Sequence, residues 1–192
     1  MRSRSRPGFT LIETLVSLGI STLVLATAVP NFGAALNARR IDAAAGEIGA
    51  AFQLARTEAV RSNRNAVFCR STDGQVCADG AGAWTGWIVF VDSDGDGQRG
   101  ADEQLVRSGS IDSPLAAYSS ASIAALDNRI AFQPDGRARG GDGIAGLNGS
   151  LALCLRTPLG TDHVRRLDIA FGGRARIART SAAGPCVAPS DA

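Results

Sequence analysis

Apolar positions along this chain fall into three rhythms, each predicting a different element. Residues 9–29, FTLIETLVSLGISTLVLATAV, form an almost unbroken apolar run with Glu13 as its one charged residue, and Pro30 closes it. At about 1.5 Å per residue the run makes a helix of about 31 Å, enough to cross the hydrocarbon of a bilayer. Beyond Pro30, Ile41, Ala45, Ile48, Phe52, Ala55 and Ala59 recur at steps of 4, 3, 4, 3 and 4, one face of an amphipathic helix. Arg40, Glu47, Arg56 and Arg61 fall largely off that face, and Asn63-Arg64-Asn65 breaks the pattern, so the helix should end near Ser62. The rest reads as short strands parted by Gly-rich turns, at residues 66–70, 86–91, 104–108, 129–133, 150–156, 164–171 and 174–179. The Gly-rich stretch 136–149 reads as a loop, and the tail from 181 onward lacks periodicity.

Charge refines this picture. Arg2, Arg4 and Arg6 precede the apolar run with no acid among them, an asymmetry that holds this end of a membrane helix in the cytoplasm. A secretory signal peptide would carry an apolar region of roughly 7–15 residues before a small-residue cleavage site. The run here is longer, and Ala26-Thr27-Ala28 is a weak site. A plain membrane anchor leaves Glu13 unexplained, since a carboxylate near the bilayer centre costs roughly 2.5–3.5 kcal/mol and marks a function. Over all 192 residues, 20 Arg and no Lys face 18 acids for a net +2, which excludes a uniformly basic nucleic-acid coat. That length suits one ordinary domain with an appendage. The single His, His163, excludes multi-His metal centres and reads as a surface residue in a turn. The chain has no Gly-x-Ser-x-Gly, Walker loop or nucleotide fingerprint, so the reading is non-enzymatic.

A short basic leader ending in Gly8, then Phe9, then Glu13 in a long apolar helix ending at Pro30, resembles the class III signal of type IV pilins and type II secretion pseudopilins. The resemblance implies that a prepilin peptidase cuts after Gly8 from the cytoplasmic side and N-methylates the new terminus, Phe9. It also implies an assembly role for Glu13, whose carboxylate would meet the Phe9 ammonium of a neighbouring subunit in the membrane. Without the leader, 17 Arg face 18 acids, about −1.

Further stretches resemble the H-type pseudopilin and FimT-type minor pilin family: AFQLARTEAVRSNRNAVFC at 51–69, WTGWIVFVD at 84–92, FQPDG at 132–136 and GRAR at 173–176. Together they cover nearly the whole chain. They imply an α+β, pilin-like fold, in which one long helix, half transmembrane and half amphipathic, packs on an antiparallel β-sheet head. The expected division is a leader at 1–8, a transmembrane helix at 9–30, an amphipathic helix at 31–64, a periplasmic head at 65–180 and a disulfide-tied tail at 181–192. The implied partners are prepilin peptidase, other pilins or pseudopilins in a filament, and the inner membrane, which the chain would cross once.

Four Cys in an exported head suggest two disulfides, because the periplasm is oxidising. Of the three pairings, Cys69–Cys77 closes an easy turn and Cys154–Cys186 ties the patternless tail to a strand. Spacings of 8, 77 and 32 carry no zinc signature. Asp92, Asp94, Asp96, Gly97 and Glu103 satisfy the calcium-loop pattern D-x-D-x-D-G-x5-E, yet extended segments flank them where an EF-hand has helices. Two readings stand: a calcium site, the one cofactor the sequence suggests, or a solvated hairpin turn.

The charge is uneven. Residues 73–112 hold eight acids and two Arg, whereas residues 129–179 hold nine Arg and four acids. On a strand Arg174 and Arg176 share a face about 7 Å apart, which suits successive backbone phosphates. In FimT-type minor pilins a Gly-Arg-x-Arg motif near the carboxyl end is associated with binding DNA during natural transformation. Carried over, Arg174 and Arg176, with Arg179 close by, would bind double-stranded DNA without sequence specificity. A second copy, Gly136-Arg137-Ala138-Arg139, would extend the patch. Trp84 and Trp87 read either as platforms for exposed bases or as core residues, and the apolar strand around Trp87 favours the core.

Overall fold

The computed structural model describes residues 8–140, 146–155, 163–170, 172–180 and 186–192, with the backbone alone for residues 27–32 and 34. One helix, α1, runs Leu11–Ser62, and the chain divides into two compact units at Leu36/Asn37.

In the first unit the helix is started by Thr10, whose carbonyl accepts from the Glu13 and Thr14 amides and whose Oγ1 accepts from the Glu13 amide at 3.3 Å. Glu13 thus sits in the first turn, where unpaired amides and the helix dipole favour negative charge. The Thr14, Ser17, Ser21 and Thr22 hydroxyls donate to carbonyls three or four residues back at 2.7–2.9 Å. Those polar groups are therefore satisfied inside the helix, as an apolar surrounding requires. Phe9 and nine other large apolar side chains through Leu25 are exposed, a density that calls for lipid or another subunit as cover. Among the described residues no helix is long and apolar enough to cross a membrane.

In the second unit the amphipathic stripe is buried as its spacing predicts, with Ile41, Phe52, Ala55 and Ala59 at 0% exposure. The helix ends where Asn63 turns to φ 52°. Two antiparallel sheets follow. Sheet A has the order β3-β2-β1-β5-β6, from β1 (Asn65–Arg70), β2 (Gly86–Asp92), β3 (Leu105–Ser110), β5 (Arg129–Phe132) and β6 (Ala138–Gly140). Sheet B has the order β4-β7-β8-β9, from β4 (Leu115–Ser119), β7 (Gly149–Leu155), β8 (Val164–Ala170) and β9 (Arg174–Thr180). A one-turn helix, α2 (Ala121–Ala124), links β4 to β5.

The helical stripe, the inward residues of sheet A (Ala66, Phe68, Val89, Ile130, Phe132) and those of sheet B (Leu151, Leu153, Leu167, Ile169) form one core. Phe52 meets Phe132 edge-on at 4.6 Å, and Phe68 stacks on Trp84 at 5.4 Å. Both Trp84 and Trp87 are buried in this core. On the other face of sheet A, Val67, Cys69, Ile88, Phe90 and Ala131 form a smaller cluster with Cys77, which explains why every residue of β2 is buried. Cys69 is bonded to Cys77, and Cys154 to Cys186.

Four features differ from the sequence reading. β4 reads Leu-Ala-Ala-Tyr-Ser after Pro114, with no apolar-polar alternation to reveal it. β6 lies inside the stretch read as a loop, where backbone pairing of 138–140 with β5 makes a strand too short to show a period. Pro30 lies within α1 instead of ending its first half. His163 is buried, at 1% exposure, and its backbone carbonyl accepts from the Leu155 amide at the end of β7, so it belongs to the start of the β7–β8 pairing and not to an exposed turn.

Candidate nucleic-acid interface

β9 is an edge strand whose two faces carry different chemistry. Ala175 packs against the core, Ile177 reaches the helix beside Gly49, and Arg179 pairs with Asp42 of α1 at 3.2 Å. Those odd positions therefore face the helix. Arg174 and Arg176, at even positions, point the other way and are exposed. Arg179 is thus not brought together with them: it lies across the strand and is engaged with a carboxylate. Its spacing of three from Arg176 puts it on the opposite face by the same period of two that unites the other pair.

Beside Arg176 in the ladder stands Asp168 of β8. That carboxylate is occupied, accepting from Arg166 Nη2 at 3.1 Å and from Ser150 Oγ at 2.9 Å. Arg137 and Arg139 flank Ala138, which is fully buried, so they leave sheet A on the face away from the helix. Arg137 lies 3.5 Å from Asp135, and Arg139 donates to Gln133 Oε1 at 3.1 Å.

The two Gly-Arg-Ala-Arg segments meet at their glycines. Gly136 and Gly173 both hold positive φ, 77° and 71°. A Cβ built on Gly173 would collide with the Gly136 carbonyl oxygen. Arg56 of α1 donates from Nε to that same carbonyl at 3.0 Å. Sequence reasoning placed Arg56 only off the apolar stripe; nothing local signals that it reaches residue 136.

The acidic loop joins β2 to β3. Asp92, Asp94 and Asp96 bring carboxylate oxygens within 4.8 Å of one another. Glu103 is turned to the loop backbone, accepting from the Ser93 and Gly100 amides at 2.5 and 3.0 Å. Asp92 accepts from the Gly95 and Gly97 amides, and its burial pushes its carboxyl above the ordinary range.

The sequence model described as Type II transport protein GspH matches residues 44–173, more than half of the chain. The chain belongs to this family. Its members are structural pilin and pseudopilin subunits, not enzymes, of type IV pilus or type II secretion filaments. Residues 3–29 match the prokaryotic N-terminal methylation motif, the mark of membrane-anchored filament subunits that prepilin peptidase processes and that assemble with other pilins. Two crystal forms of the type IV minor pilin FimU of Pseudomonas aeruginosa share the fold at 22% identity. One gives a TM-score of 0.51 over 71% of this chain and 91% of that one; the other gives 0.53 over 73% and 89%. No curated protein matches the sequence.

Proposed function

We propose that this GspH-family chain is a minor subunit of a type IV pilus-like filament whose head captures double-stranded DNA without sequence preference. Prepilin peptidase cuts it between Gly8 and Phe9 and N-methylates Phe9. Until assembly it crosses the inner membrane once, with its amino terminus cytoplasmic and its head periplasmic. Glu13 meets the Phe9 ammonium of a neighbouring subunit and sets the stagger as the filament grows.

The observation that carries the DNA reading is the pair Arg174 and Arg176, exposed together on the outward face of an edge strand. Two guanidinium forks about 7 Å apart match consecutive phosphates of one strand. Phosphate contacts of this kind give binding that weakens steeply with salt. The test is anisotropy of a labelled duplex with the processed chain in detergent micelles. R174Q/R176Q is expected to lose most of the binding; an unchanged affinity would overturn the reading. For assembly, Glu13→Ala is expected to mature normally yet fail to enter filaments.

The family match itself favours a second reading, an H-type pseudopilin of type II secretion without DNA binding. A deletion strain separates the two. Loss of transformation and twitching with intact exoprotein secretion supports the pilus subunit; the reverse supports the pseudopilin.

A further inference from the structure

We propose that the segments 136–139 and 173–176 form one composite phosphate-binding site, with Arg56 as its positioning residue. The proposal rests on the DNA-capture reading and adds to it the size of the site and the contact that assembles it.

The two segments are the same tetrapeptide, Gly-Arg-Ala-Arg, separated by more than thirty residues of sequence. The fold brings their glycines into backbone contact, Gly173 against the Gly136 carbonyl, with no room for a side chain between them. Arg56 clamps the junction. Its Nε binds the Gly136 carbonyl at 3.0 Å and lies 3.1 Å and 3.4 Å from where Cβ atoms on Gly136 and Gly173 would stand. From this junction each segment runs into a strand whose alanine, Ala138 or Ala175, faces the core. All four motif arginines are therefore rooted on the faces turned away from the helix. Among the described residues, Asp135 stands beside Arg137, and Asp168, opposite Arg176, is held by Arg166.

One segment alone offers two phosphate contacts; the composite offers four. Counterion release then predicts that log affinity falls against log salt with a slope of about −3.6 for four contacts and about −1.8 for two. The experiment is duplex binding by the processed chain in detergent micelles across a salt series, with a thermal melt of every variant. The unaltered chain is expected near −3.6, and both R137Q/R139Q and R174Q/R176Q near −1.8. R56Q removes no phosphate ligand, yet it is expected to bring the slope near −1.8 because the two segments lose their common seat. G173A, which forces the turns apart, is expected to do the same.

If R137Q/R139Q binds as the unaltered chain does while R174Q/R176Q loses binding, the composite fails and the DNA reading stands. If neither double variant changes binding, both fail. A lower melting temperature for R56Q with the slope still near −3.6 would reduce Arg56 to a structural contact and overturn its assigned role. A fall in slope of only about 0.9 would make Arg56 a phosphate ligand itself and also overturn it.

Discussion

Arg165 of β8 donates from Nε to Asp42 Oδ1 of α1 at 2.6 Å, a contact between residues 123 positions apart. Arg179 of β9 takes the other carboxylate oxygen at 3.2 Å. Two strands of sheet B are thereby tied to one turn of the helix by a single acid. The Arg165 side chain is 1% exposed and Asp42 is 36% exposed, so the guanidinium depends on its partner far more than the carboxylate does.

Asp42→Ala should therefore destabilise the head by about 2 kcal/mol. Removing one partner of a fully buried pair costs about 3–5 kcal/mol. The figure here is lower because water screens Asp42 and because Arg165 Nη1 keeps the Val164 carbonyl at 3.1 Å. Denaturant unfolding in micelles measures it; a loss under about 0.5 kcal/mol would mean that Arg165 is satisfied without Asp42.

Two aspartates should respond to pH in opposite senses. The Arg165 hydrogen bond holds Asp42 below the ordinary carboxylate range, and Arg61 does the same for Glu58. Folded, these groups bind fewer protons than unfolded, so their contribution is full above the ordinary range and fades as pH falls through the lowered values. Burial raises Asp92, which binds more protons when folded, so its ionisation lowers stability as pH rises from the ordinary range through the raised value. Carboxyl-carbon titration by NMR should find Asp42 ionising first and Asp92 after it; the reverse order would refute the assignment.

The two disulfides should contribute unequally. Cys154–Cys186 closes a loop with a sequence separation of 32, and Cys69–Cys77 one of 8. Chain entropy gives about 3.7 kcal/mol for the longer loop and about 2.5 kcal/mol for the shorter. C154S/C186S should be the less stable double variant in urea. Equal losses would indicate that the Cys69–Cys77 bond also secures the small cluster behind sheet A.

Gly109 pairs with Trp87 across β2 and β3, and the indole lies over it where a Cβ would collide with the ring. Gly109→Ala should displace Trp87, weaken its contact with the Arg107 guanidinium 5.9 Å away, and cost about 1–3 kcal/mol. Near-UV circular dichroism and unfolding together test this. An unaltered tryptophan signal at full stability would show that the ring yields freely.

Much of the architecture was written locally. The 4-3-4-3-4 stripe through Ile41 and Phe52 predicted the buried helical face because 3.6 residues make a turn whatever the surroundings. The period of two put Arg174 and Arg176 on one face, and that same period separates Arg179 from them. β4 and β6 escaped because a five-residue strand without apolar-polar alternation and a three-residue strand carry too little pattern; pairing with β7 and β5 defines them.

The sequence by itself determined the basic segment ahead of the apolar run, that run with its single acid, the amphipathic stripe and two copies of one arginine tetrapeptide. Only the tertiary structure decided that His163 and Arg165 are buried, that Asp42 joins two strands to the helix, and that residues 136 and 173 touch beneath Arg56. Local periodicity reports which way a side chain leaves its own backbone. Which distant backbone comes to meet it depends on how helix and sheets close around a shared core, and no short window of sequence contains that.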